Sequence, residues 1–243
     1  MQKLVYVAAL TYKRPKMLRH LLESWRTLLI PDELEVRFIV IDNDTAGSAK
    51  DVVRSFAEDF TCPLAYLIET QPGIPAARNR ALSAAHLSGA DFLCFNDDDG
   101  FPASDWLMKL TRFQIQTKAN LVFGPQRPIC NEQDLSRWQK LIAGGLIARA
   151  SFVERYAKKE WENGRIATSG TYNWLCDMHW IHQRRIRFDE TRAITGGSDT
   201  FFREAVIRAG GKLAWCSDAI VYEQLQTERL SLRYQLKRAR AQG

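Results

Sequence analysis

The 243-residue chain has no cysteine framework: its five cysteines, at 62, 94, 130, 176 and 216, include no C-x-x-C pair. An odd count without paired spacing excludes a disulfide scaffold and the usual zinc-finger pattern, and it fits a reducing compartment. No stretch approaches the roughly 18–20 apolar residues that a membrane-spanning helix needs. The opening MQKLVYVAALTYKRP holds an apolar run too short for a leader with its cleavage site. Internal repeats, low-complexity tracts and a clear linker are also missing, so one composite domain in the cytoplasm is expected. What is present is ordinary globular material: 46% hydrophobic and 26% charged residues, with a formal net charge of +6. That surplus suits a nucleotide, a nucleic acid or an anionic membrane without choosing among them, and a solvated basic surface explains it equally.

Strand and helix signals alternate through the first half. Leu4–Leu10 is a continuous apolar run of the kind buried on both faces of a sheet. Pro15 then opens a segment in which Met17, Leu18, Leu21, Leu22 and Trp25 recur at helical spacing, and Pro31 closes it. Val36–Ile41, Leu64–Ile68 and Asp91–Phe95 read as further strands, with helices over Ala49–Phe60 and Pro75–Leu87. This order predicts an α/β fold with a parallel, doubly wound sheet. Ligands bind such sheets outside the carboxyl ends of the strands, so Thr11–Arg14, Asp42–Asp44 and Asn96–Asp99 should line one crevice.

The second half is less regular. Gln126–Ile166 mixes helical spacing with aromatic and basic residues, and Thr171–Ile181 is aromatic and reads as extended. Gly196-Gly197-Ser198-Asp199 opens a helix over Thr200–Ala209 that Gly210-Gly211 ends, Leu213–Tyr222 reads as one late strand, and Leu230–Arg240 as a basic helix.

FLCFNDDDGFP, residues 92–102, sets three aspartates at the end of a strand. In extended backbone residues i and i+2 share a face, so Asp97 and Asp99 would point into the crevice and Asp98 away from it. Carboxylates so close repel unless a cation lies among them, and hard divalent ions take such oxygens together with phosphates. A polar turn whose aspartates cap backbone amides is the alternative.

VAALTYKRPKMLRHLLESW, VIDND, QPGIPAARNRAL, FLCFNDDDGFPASDWL and FDETRAITGGSDTFF stand in the order seen in family 2 glycosyltransferases, which the chain resembles from its first strand to about Arg229. The resemblance is to bacterial members that build exopolysaccharide or other surface glycans. It implies a GT-A fold, Rossmann-like, with a mostly parallel central sheet, helices on both faces and an irregular acceptor-binding C-terminal half. On that basis residues 1–125 form the nucleotide-sugar half, 126–229 the acceptor and catalytic half, and 230–243 a basic C-terminal helix.

The resemblance also implies the chemistry: inverting, metal-dependent transfer of a sugar from a nucleoside diphosphate donor, UDP-linked by expectation, to a hydroxyl of a glycan or lipid-linked acceptor. Thr11, Tyr12 and Arg14 match the nucleotide loop, Asp42 the aspartate that meets the base, and Arg78 and Asn79 the segment near ribose and diphosphate. Asp97 and Asp99 match the ends of the DXD motif. Asp97 would touch ribose or sugar, Asp99 would hold Mn²⁺ or Mg²⁺, and Asp98 would bond the sugar or brace the loop. Asp199 matches the general base; from position alone it reads as a helix N-cap.

Two positions depart from the family pattern. Ser198 stands where many relatives carry Glu, and Glu223-Gln224 stand where many carry a histidine near the metal. His179 and His182 are expected in the core or on the acceptor side. Trp161, Tyr172, Asn173, Trp174 and Trp180 fall in the acceptor half, where core packing competes with sugar stacking. The basic C-terminus suits peripheral contact with an anionic membrane at its inner face. A sugar-phosphate nucleotidyltransferase is a second reading, disfavoured by the glycine-free Ala8-Ala9-Leu10-Thr11 loop. A nucleic-acid-binding protein is a third, disfavoured by scattered basic residues and an acidic cleft.

Overall fold

A computed structural model describes residues 2–131, 135–164, 172–192 and 197–236. Its first half runs β1 (Lys3–Thr11), α1 (Pro15–Trp25), β2 (Leu34–Asp42), α2 (Lys50–Ala57), β3 (Leu64–Ile68), α3 (Ile74–Leu87) and β4 (Phe92–Asp97). These are the elements that the apolar periodicity predicts. β1 is buried along most of its length because helices cover both faces, so its sequence is continuously apolar. In α1, Leu18, Leu21, Leu22 and Trp25 form one buried stripe behind Pro15 in the first turn. α3 packs through Ala76, Ala77, Ala81 and Ala85, whose small side chains let the helix lie close to the sheet.

The chain continues through β5 (Gly100–Pro102), α4 (Trp106–Thr117), β6 (Leu121–Phe123), β7 (Gln126–Ile129), α5 (Arg137–Glu162), β8 (Asn173–Asp177), α6 (Met178–Gln183), α7 (Ser198–Arg208), β9 (Leu213–Trp215) and β10 (Val221–Gln224). A seven-stranded sheet has the order β3-β2-β1-β4-β8-β6-β9, and a three-stranded sheet the order β5-β10-β7. The large sheet is mostly parallel, with β8 antiparallel to both β4 and β6. This is the GT-A architecture expected, with β8, β6 and β9 continuing the sheet begun by β1–β4.

Several boundaries differ from the sequence reading. α4 and β6 lie in a stretch assigned to no element, although Trp106, Leu107, Leu110 and Gln114 carry a buried helical stripe. β7 forms at the start of the segment read as mixed helix. Asn173–Asp177 is extended as expected, but the chain then enters α6, where Asp177 accepts a bond from the Trp180 backbone N–H (3.1 Å) and caps the helix. The late strand is two strands in different sheets, because a turn at Ser217-Asp218 redirects the chain between β9 and β10. Ile166, Thr171, Gly196 and the end of the basic helix at 237–240 lie outside the described residues.

Two polar side chains inside the sheet lock it. Asn96 accepts from the Trp25 indole (3.0 Å), and Asn173 accepts from the Trp106 indole (2.8 Å) while donating to the Pro125 and Ala219 carbonyls (2.7 Å each). Gly124 sits against this hub, where a Cβ would lie 2.4 Å from the Ala219 carbonyl oxygen. Trp174 packs on Phe95 (5.0 Å) and Phe202 (5.1 Å) and is fully buried, so it is core. His179 and His182 are exposed, not core: His179 lies 3.5 Å from Asp91 at the start of β4, the end of the strand away from the aspartates.

Candidate functional site

The parallel register sets Thr11 beside Asp42 and Leu10 beside Asp97, so the carboxyl ends of β1, β2 and β4 finish together. Outside them is a crevice of about 470 Å³ whose wall includes Thr11, Tyr12, Arg14, Asn43, Arg78 and the three aspartates. Its far side is the β3–α3 turn, where Gly73 has φ 116°, a conformation that glycine adopts without strain. Asn43 fixes that turn, accepting from the Gly73 N–H (2.8 Å) and donating to the Glu69 (3.0 Å) and Gln71 (2.7 Å) carbonyls.

Asp98 does not point away. The strand ends at Asp97, and residues 98–99 turn into β5, which breaks the two-residue alternation on which that expectation rests. Asp98 is buried and accepts from Thr11 Oγ1 (2.9 Å) and Arg14 (3.2 Å). Burial raises its carboxyl above the ordinary range, and Arg14 and Thr11 offset part of that rise. Asp99 accepts from Arg229 (2.9 Å) and lies 3.9 Å from Arg14. Arg229 also donates to Glu223 (2.9 Å), so one guanidinium bridges Asp99 and Glu223. Sequence reasoning passed over Arg229; the demand of clustered acids for a cation is the signal that points to it.

Arg78 joins two acids that the sequence keeps far apart. It projects from α3 with its side chain only 5% exposed, and one nitrogen pairs with Asp199 while the other lies 4.0 Å from Asp97. It also donates to Ser198 Oγ (3.3 Å) and lies over the Phe188 ring (5.3 Å). Asp199 is therefore not an N-cap: Gly197 holds that place with φ 74°, and Asp199 sits in the first turn of α7 facing Arg78. Ser198, noted only as a departure, helps hold Arg78. Asp97 keeps 39% of its side chain accessible at the crevice wall, yet enclosure there, opposed by Arg78 and reinforced by Asp99, Asp199 and Asp98, pushes its carboxyl up to about 7.

Asp42 and Asn79, which the resemblance matches to nucleotide contacts, are buried and do not line this crevice but stand behind its wall. Asp42 is fully buried and accepts from the backbone N–H groups of Asp44 (3.0 Å) and Ala49 (2.8 Å) and from the Tyr66 hydroxyl (2.8 Å). Burial and then that carboxylate raise the Tyr66 hydroxyl above its ordinary range. Asn79 bonds both backbone groups of Phe188, at 2.9 Å each, and Glu190 (2.6 Å), which ties α3 to the segment beneath α7. Tyr172 lines a separate cavity of about 300 Å³ with Trp215, Glu223, Arg229 and residues of α5.

Around the aspartates, Asp97, Asp98, Asp99, Asp199 and Glu223 share the guanidiniums of Arg14, Arg78 and Arg229, so with all groups ionised two negative charges remain. That surplus, the raised Asp97 and the all-oxygen donors fit a hard divalent cation. Among the described residues no group of three or more His, Cys, Asp and Glu is assembled for a metal, so part of the coordination would come from a ligand and water.

A curated relative, the succinoglycan biosynthesis protein ExoM of Rhizobium meliloti (strain 1021), is 30% identical over 232 residues, covering 96% of this chain and 70% of that one. Solved structures share the fold at lower identity. The mannosyltransferase PcManGT of Pyrobaculum calidifontis, in complex with GDP-Man and Mn²⁺, superposes with TM-score 0.70 at 17% identity over 99% of this chain and 61% of that one. S. aureus TarS 1-349 with UDP-GlcNAc gives 0.63 at 15% identity over 93% and 59%. The chain thus spans less than two thirds of either solved chain. The sequence model of Glycosyl transferase family 2 matches residues 6–201, most of the chain. The chain belongs to glycosyl transferase family 2.

Proposed function

We propose that this glycosyltransferase moves one sugar, with inversion, from a UDP-linked donor to a hydroxyl of a glycan or lipid-linked acceptor in surface polysaccharide synthesis. The observation that carries the reading is Arg78, which spans Asp97 on the donor wall and Asp199 at the start of α7. The name of the curated relative supports the polysaccharide, and the bound nucleotide sugars of the solved relatives support the donor class. Family membership favours glycosyl transfer over the nucleotidyltransferase and nucleic-acid readings.

In this reading Thr11, Tyr12 and Arg14 bind the nucleotide, and Asp42 and Asn79 hold the loops that shape its site. Asp199 takes the proton of the acceptor hydroxyl as that oxygen attacks the anomeric carbon, and the bond from that carbon to the diphosphate oxygen breaks. Arg78 orients the Asp199 carboxylate and lies close enough to Asp97 to meet an anionic donor. A bound Mn²⁺ or Mg²⁺, held through Asp97 and Asp99 with the donor phosphates, would offset the charge on the departing diphosphate.

The test is a panel of nucleoside diphosphate sugars incubated with Mn²⁺ or Mg²⁺ and a lipid-linked or oligosaccharide acceptor, with the product's anomeric configuration read by NMR. Release of nucleoside diphosphate with an inverted product supports the reading. Release of pyrophosphate, or a retained configuration, contradicts it.

A further inference from the structure

The long helix α5 turns an apolar stripe to solvent. Trp138 (69% exposed), Leu141 (65%), Phe152 (62%) and Tyr156 (48%) lie on one face, with Gly145 and Ala148 between them. Spacings of three and four residues keep such positions in line along a helix of 26 residues, about 39 Å long. The opposite face is committed: Ala143 and Ala157 are buried, Trp161 packs on the core, and Glu154 accepts from Arg127 of β7 (2.7 Å). A Ser136–Gln139 capping box fixes the start of the helix. The stripe is therefore held rigidly outward.

Charge selects the occupant. Arg137, Lys140, Arg149, Arg155, Lys158 and Lys159 border the stripe against two acids, Glu160 and Glu162, the latter 3.8 Å from Lys158, so the face keeps an excess of cations. Two copies of this face pressed together would set these cations against one another, whereas an anionic lipid surface receives both the cations and the apolar side chains. Aromatic residues with a polar edge, such as Trp138 and Tyr156, suit the boundary between headgroups and acyl chains. The helical turn at 232–236 adds exposed Leu232 (62%) and Leu236 (61%), and Gln235 lines the same cavity as Leu146, Arg149 and Val153 of α5. We propose that α5, with the 232–236 turn beside it, is a docking surface for an anionic phospholipid bilayer, lying along it with the Trp138–Tyr156 stripe inserted at headgroup depth.

The proposal is tested without donor or acceptor, by sedimenting the full chain with vesicles of phosphatidylglycerol and phosphatidylcholine, and with phosphatidylcholine alone. Binding is expected with the anionic vesicles and should weaken as salt rises. Trp138→Glu and Phe152→Glu should each lower partitioning about tenfold or more. Leu87→Glu, at an 85% exposed site on α3, should leave it unchanged. Trp138→Phe should keep binding but lose much of the fluorescence quenching by brominated lipid. Partitioning that ignores both glutamates overturns the proposal, and so does quenching that ignores Trp138→Phe. A concentration-dependent dimer abolished by Phe152→Glu, with no vesicle binding, also overturns it and assigns the face to a second copy.

Discussion

Asp97→Asn should stabilise the metal-free protein while impairing the enzyme. The carboxyl of Asp97 is displaced from its ordinary value of 3.8 to about 7. Between those values the native state holds a proton that the unfolded chain has released, so the free energy of unfolding falls as pH rises through that window. The full displacement would amount to about 4 kcal/mol at roughly 1.4 kcal/mol per unit. With 39% of the side chain accessible, solvent screening reduces this to about 1–2 kcal/mol. An asparagine carries no charge to repel Asp98, Asp99 and Asp199, and Arg78 keeps its partner in Asp199. Urea denaturation in EDTA from pH 4.5 to 8 should show a stability loss in the wild type that the variant lacks, with the variant more stable by about 1–2 kcal/mol at pH 8. A variant less stable than wild type at pH 8, or one with an unchanged pH slope, would refute the idea that Asp97 is held against repulsion for a cation.

Other outcomes follow from the scaffold. Asn173→Ala should destabilise by about 2–4 kcal/mol, measured by chemical denaturation, because the Trp106 indole and the Ala219 carbonyl lose the Asn173 side chain inside the sheet and the Pro125 carbonyl keeps only the Val221 N–H (3.1 Å). Gly124→Ala should lower the melting temperature by several degrees, since its Cβ would meet the Ala219 carbonyl at 2.4 Å and the fixed Asn173 amide at 2.7 Å. Asp91 behaves oppositely to Asp97: burial raises its carboxyl, but Lys3 and the Leu4 N–H outweigh that and hold it below the ordinary 3.8. Its contribution is complete above that value and lost as pH falls through the lowered one, so Asp91→Ala should reduce stability at neutral pH and narrow the gap to wild type on acidification.

How legible the molecule was follows from the range of each signal. β1, β2 and β4 were readable because burial on both faces writes an uninterrupted apolar run, and the parallel-sheet rule then carried Thr11, Arg14 and the aspartates to one crevice. The orientation of Asp98 was not, because the alternation rule ends where the strand does and the turn at 98–99 lies one residue beyond it. β8 looked extended, but its antiparallel entry between β4 and β6 is a tertiary choice that no local pattern records. The pairing of Arg78 with Asp199 joins residues 121 apart, and Arg229 reaches Asp99 across 130. Family resemblance supplied the residues of those pairs in part, and only the fold supplied the pairs.

The central claim is that Asp199, oriented by Arg78, accepts the acceptor's proton at a donor site built from the ends of β1 and β4. Asp199→Asn preserves the shape of the side chain and removes its basicity. Donor binding by calorimetry and turnover by nucleoside diphosphate release, measured on that variant with Mn²⁺ present, test the claim most directly. The account predicts donor affinity within about threefold of wild type and turnover lowered by at least ~100-fold. Turnover near the wild-type rate would contradict it.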